Sequence, residues 1–181
     1  MLSDFTAALL TLLFPQLLSS LKVKLDLVGW YIEPSFFRAL AGRAHGLCKL
    51  SLSECAGPRD FAPTILPLLS GLPLTYLRLG MEEWKNLPCL ALTGLTQLTE
   101  LHICEAQIIS LNEVLPQLLQ LSTLGLHNVS LYEGLLFSPC LHTLILDTAL
   151  LRLDMCDLPA LKFLQIKNLH FIDIGALVMD D

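Results

Sequence analysis

Leu121-Ser-Thr-Leu-Gly-Leu126 and Leu141-His-Thr-Leu-Ile-Leu146 share one spacing, L-x-x-L-x-L, twenty residues apart. Five more segments fall into the same frame: KVKLDL from Lys22, LCKLSL from Leu47, LTYLRL from Leu74, LTELHI from Leu98 and LKFLQI from Leu161. The seven segments start at residues 22, 47, 74, 98, 121, 141 and 161, so successive spacings are 25, 27, 24, 23, 20 and 20 residues. A period of about 20–29 residues is that of a stacked solenoid in which each unit adds one strand to a parallel sheet. Strand alternation then sends positions 1, 4 and 6 of the frame inward and positions 2, 3, 5 and 7 to the opposite face. Position 11 should be apolar, because there the chain turns back over the core. It is Ile32, Gly57, Trp84, Ile108, Leu131, Leu151 and Phe171, and only Gly57 departs from the rule.

The repeat also accounts for the composition. Of 181 residues 54% are hydrophobic, with a mean hydropathy of +0.62. The densest apolar runs, such as Ala7–Phe14, are too short for the roughly 20 residues that a membrane-spanning helix needs. Short repeats instead require each unit to supply its own slice of core. The N-terminal MLSDFTAALLTLLFPQLL has no basic region and carries Asp4, so it reads poorly as a secretory signal. Phe5–Leu27 parallels Phe61–Leu79, each an apolar helical segment running into a strand. The six cysteines at 48, 55, 89, 104, 140 and 156 are scattered, and Cys48 and Cys104 fall at outward strand positions. Free thiols in an intracellular, cytoplasmic protein are the expectation, and the sequon Asn128-Val129-Ser130 weighs little against it.

The connecting segments Pro34–Ala44, Phe61–Ser70 and Leu111–Leu119 have helical spacing. The last two full units are shorter and contain Ser138-Pro139 and Leu158-Pro159, which predict 3₁₀ or extended connections. Position 9 holds Trp30, Cys55, Glu82, Ala106, Val129, Ala149 and Leu169 rather than a ladder of asparagines. The turns must therefore be satisfied by other groups. Trp30 and Trp84 are expected in the core, His45 and His170 in loops or turns. The chain reads as one domain over 1–181 with about seven repeats. No obvious polar cap marks either end, so either Leu2–Leu18 and Phe171–Asp181 act as improvised caps or the chain is a piece of a longer array.

LTGLTQLTELHI (Leu92–Ile103) and LPALKFLQI (Leu158–Ile166) carry a resemblance to the leucine-rich repeat superfamily, and the pattern covers residues 21–174. The mixed repeat lengths resemble the irregular arrays of F-box proteins and of plant nucleotide-binding resistance receptors, although no F-box and no GxxxxGK[ST] loop is present. The resemblance implies an α/β fold: a curved solenoid with a parallel sheet on its concave face and helices or 3₁₀ segments on its convex face. It implies non-catalytic protein recognition without a cofactor. The alternative it carries is the substrate-recognition part of an F-box-like ubiquitin ligase adaptor.

Read along the outward positions, the sheet face is polar with two aromatic anchors. Position 3 runs Lys24, Lys49, Tyr76, Glu100, Thr123, Thr143, Phe163; position 5 runs Asp26, Ser51, Arg78, His102, Gly125, Ile145, Gln165; position 7 runs Val28, Ser53, Gly80, Cys104, His127, Asp147, Lys167. Tyr76, Arg78, Glu100, His102, His127, His142, Asp147 and Phe163 are the candidate partner-contacting residues, tyrosine and arginine being frequent hot spots. Net charge is −6, and Asn86–Leu151 contains no Lys or Arg but includes Glu100, Glu105, Glu113, Glu133 and Asp147. Nucleic acid and membrane partners are disfavoured, and a protein partner with a basic segment is favoured. Cys104, His127 and Asp147 share position 7 on consecutive strands. A Cys-His-Asp hydrolase, or with His102 a zinc site, is the reading from another class. Side chains on adjacent parallel strands point the same way and do not converge, which counts against it.

Overall fold

Inward leucines and outward polar residues alternate in each frame, and each of the seven segments supplies a strand. The computed structural model describes residues 22–58, 61–81, 87–109, 111–131, 136–147 and 156–168. The main strands are β1 (Val23–Val28), β2 (Leu47–Cys55), β3 (Tyr76–Met81), β5 (Glu100–Cys104), β7 (Thr123–His127), β10 (Thr143–Asp147) and β12 (Phe163–Lys167). They form one seven-stranded parallel sheet in that order, each beside its neighbour in the chain. Pairing follows the frame: Leu25, Leu50, Leu77, Leu101, Leu124, Leu144 and Leu164 are successive partners across the sheet.

The connections cover one face. Helices α1 (Pro34–Arg43) and α2 (Phe61–Leu69) lie within a residue of the predicted spans. The expected helix over Leu111–Leu119 is cut short. Four residues, Leu111–Val114, form α3, and Leu115–Gln117 continue as a 3₁₀ turn. Pro116 is the reason, since its ring removes an N–H donor and disfavours α geometry in the residue before it. A second 3₁₀ turn spans Cys89–Leu92. Short strands complete the connections: β4 (Leu87–Pro88), β6 (Gln107–Ile109) and β8 (Ser130–Leu131) pair in one sheet, β9 (Leu136–Phe137) and β11 (Cys156–Asp157) in another. The last two units are thus extended here, as their prolines predict. Leu87 pairs with Ile108, and Ile108 with Leu131. Leu87 stands in that row between β3 and β5. Trp84 lies outside the described residues, as do the N-terminal segment to residue 21, Leu151, His170 and Phe171.

The core lies between the sheet and these connections. Phe37, Leu40, Ile65, Leu66 and Leu69 from the helices pack in one buried cluster with Leu50, Leu52, Leu77, Leu79, Leu101, Leu124 and Leu144 from the strands. Burial fades at the two outer strands, each with a described neighbour on one side only. Leu25 and Leu27 are half-buried, and Leu164, expected inside, is 46% exposed. Trp30, next to β1, is 44% exposed rather than in the core. Gly57 is buried in spite of its size, and Ile32 likewise.

The missing asparagine ladder is replaced at both ends of the strands. Leaving the strands, five of the position-8 residues take a left-handed conformation: φ is +70° at Gly29, +54° at Glu54, +57° at Glu105, +52° at Asn128 and +48° at Asn168, while Met81 stays in its strand. The N–H groups there reach sideways, with Gly29, Glu105 and Asn128 donating to the carbonyls of Ser53, His127 and Asp147 on the next strand. Glycine and asparagine tolerate this geometry, whereas each glutamate stores about 1–2 kcal/mol of strain. Entering the strands, position 2 carries a hydroxyl ladder: Thr75 Oγ1 donates to Cys48 O (3.2 Å), Thr99 Oγ1 to Thr75 O (2.9 Å) and Ser122 Oγ to Thr99 O (3.1 Å). Thr99→Val keeps the shape and removes one rung. A loss of about 1 kcal/mol is expected, read from the midpoint of chemical denaturation with the slope unchanged.

Candidate functional site

The face opposite the helices is open, and most of its polar side chains are half-buried or exposed. Two glycines decide how its centre packs. Gly80, paired with Cys104, has Cys104 Cβ 3.2 Å from where its own Cβ would stand. Gly125, paired with His102 on one side and Ile145 on the other, opens a larger gap. A Cβ there would overlap Nδ1 of His102 and stand 2.9 Å from Nε2 of His127. The imidazoles of neighbouring strands meet over this vacancy.

A chain of polar contacts results, running diagonally across three strands to the turn after a fourth. His102 Nε2 lies 2.8 Å from Glu100 Oε1, and His102 Nδ1 lies 3.1 Å from His127 Nε2. His127 Nδ1 faces Asp147 Oδ2 at 3.8 Å, an ion-pair rather than a hydrogen-bond distance. Asn168 Nδ2 donates to Asp147 Oδ1 at 3.0 Å. The Tyr76 ring packs 5.6 Å from that of His102, and Lys49 Nζ lies 5.8 Å from the centre of the Tyr76 ring. The positive charge of Arg78 lies near the Tyr76 hydroxyl and the Cys104 thiol, and its buried Nε has no hydrogen-bond partner. Burial holds the His127 imidazole below its usual proton affinity, and the positive charges of His102 and Arg78 add to that; Asp147 opposes them.

Six of the eight candidate residues are therefore brought together: Tyr76, Arg78, Glu100, His102, His127 and Asp147. His142 is not among them. It precedes β10 in the position-2 row, where its backbone N–H donates to Ser122 and its carbonyl accepts from Lys162. Phe163, 68% exposed on β12, is four strands from Tyr76, about 19 Å at sheet spacing. It is a separate anchor. The ordering role of Gly125 was invisible in the one-dimensional rows, because a missing side chain gives no signal until its neighbours are placed.

The Cys104, His127 and Asp147 row exists in register but is not arranged as a nucleophile with its base. Both nitrogens of His127 face other groups, and burial pushes the Cys104 thiol up rather than activating it. Cys104 holds the outward strand position expected of it. It is only 8% exposed, because Gly80 beside it leaves room for close cover. Among the described residues, no group of three or more His, Cys, Asp and Glu is placed to hold a metal ion.

The remaining thiols sort by burial. Among the described residues, Cys48, Cys55, Cys89, Cys104 and Cys140 form no disulfide; Cys55 and Cys89 are buried, and the Cys89 thiol is pushed up to about 12 by desolvation. Alkylation of the native protein at pH 8 should modify half-buried Cys48 and Cys140 well before Cys55, Cys89 and Cys104, as peptide mass spectrometry would show. Equal rates at all five would contradict the burial pattern.

Acidic charge is spread more widely than the chain's Lys- and Arg-free stretch implies. Glu105 sits at a left-handed turn and Glu113 in α3, so among the described acidic residues of that stretch Glu100 and Asp147 are the two on the open face; Glu133 lies outside the described residues. Lys24, Lys49, Arg78 and Lys167 share that face. Among the described residues, no helix is long and apolar enough to cross a membrane. No protein-family model matches this chain, and no curated protein matches it.

Proposed function

We propose that the chain is a leucine-rich repeat solenoid and that it serves as a non-catalytic protein-recognition module, intracellular and cytoplasmic, acting through the open face of its sheet. The observation that carries this reading is the division of labour between faces. One face is closed by helices and short strands; the other presents Tyr76, Arg78 and the Glu100–Asp147 chain on rigid neighbouring strands. Rigid presentation lowers the ordering cost of association, and tyrosine and arginine are the residue types that most often dominate such contacts. The partner is a protein with a basic segment able to reach Glu100, whose side chain is 40% exposed, or Asp147, at 29%.

Proximity labelling followed by pull-down supplies the partner. Tyr76→Ala should then weaken binding by about 2 kcal/mol, roughly 30-fold, and Glu100→Lys should weaken it further at low salt. Glu113→Lys, on the helix side, is the control. Loss of binding with Glu113→Lys alone would place the contact on the other side of the molecule and end the proposal.

A further inference from the structure

The polar chain across the sheet can be counted proton by proton. Glu100 accepts from His102 Nε2 at 2.8 Å, so that nitrogen carries hydrogen. Between the rings, 3.1 Å apart, one nitrogen donates and the other must be bare. The ring centres are 5.4 Å apart with planes 24° from parallel. That separation is the N···N distance plus both ring radii, so the two nitrogens point straight at each other. Two nitrogens converging on a metal would instead point to a common vertex off that line, which is why the geometry speaks for a shared proton rather than a shared cation.

With both rings neutral, His127 Nδ1 is bare and presents a lone pair to the Asp147 carboxylate. Adding one proton corrects this. The inner hydrogen shifts to His102 Nδ1, His127 Nε2 accepts it, and His127 Nδ1–H faces Asp147. The charge then lies between two carboxylates. A second proton would place N–H against N–H across 3.1 Å and break the contact. The groups facing the pair are Tyr76 and Arg78 on β3, with Lys49 of β2 beyond Tyr76; Glu100 and Cys104 on β5; Asp147 on β10; and Lys167 and Asn168 on or beside β12.

We infer that His102 and His127 form a single site for one proton, held between Glu100 and Asp147, and that this site sets the charge at the centre of the open face. Two interacting histidines then titrate as a pair rather than as two residues. Taking up that proton removes one unit of negative charge from this centre, so on the recognition reading a cationic partner group finds less to bind. Burial first, and then the charge of His102, depress the proton affinity of His127, and both act with this geometry against a second proton. In the unfolded chain that ring protonates freely, so the stability it contributes is complete above about pH 6.5 and declines as acid forces the second proton on.

Ring-nitrogen NMR of the full chain, titrated from pH 8 to 5, tests this without any partner. The two rings should move together through one midpoint and take up one proton between them. Gly125→Ala, whose Cβ drives the rings apart, should split this into two separate single-proton curves; His127→Gln, which needs no repacking of the backbone, should leave His102 with a full single-site curve. Independent curves for the two rings in the wild-type protein, or coupled behaviour surviving in Gly125→Ala, would overturn the inference. Either result leaves recognition by the open face to its own mutational test.

Discussion

Leu124→Ala should destabilise the protein by about 2–5 kcal/mol, a large share of the stability of a domain this size. Leu124 is fully buried at position 4 of β7, with Leu101 and Leu144 as its sheet partners. The lost methyl groups leave a cavity bordered by neighbouring strands, and those strands cannot close it without breaking their own register. Because each unit is held mainly by its neighbours, the damage should spread along the sheet. Hydrogen exchange should accelerate in β5 and β10 as well as β7. Leu164→Ala, on the 46% exposed position of β12, is the matched control and should cost much less. A thermal melt of Leu124→Ala that overlays the wild type would mean that the strand register is wrong.

Phe37→Ala is expected to cost about 3–5 kcal/mol, from the helix side of the same core. Phe37 is fully buried in α1 and meets Phe36 edge to face, ring centres 5.2 Å apart at 86°. Removing it empties the space between α1 and the first two strands and withdraws support from α2, which packs beside α1. The denaturant midpoint should fall sharply. Trp30→Ala removes a larger ring but one that is 44% exposed, so a smaller loss is expected. The opposite ranking would show that the first unit is held together outside the core described here.

The framing leucines alone determined where the strands run and which way they pair. Period-two alternation within a segment and a near-constant spacing between segments have few structural solutions, and a parallel sheet with one covered face satisfies both. Helices α1 and α2 were legible for the same reason: their burial pattern is local. The hydroxyl ladder of Thr75, Thr99 and Ser122 and the left-handed turns at Gly29 and Asn128 were written in the chain as residue types at fixed positions, though it takes the paired backbone to show what they bond to.

The centre of the open face was decided by tertiary structure. His102 and His127 are 25 residues apart, and stacked rows place them near each other without saying whether their rings meet. They meet because Gly125 leaves a gap that only its two neighbours can fill. The same three-dimensional crowding buried Cys104, while the outer strands left Trp30 and Leu164 exposed. Local pattern dictates direction and pairing, because these depend on the backbone and on alternation. Which side chains touch depends on the volumes of residues on the neighbouring strand, and that information exists only once the strands are side by side.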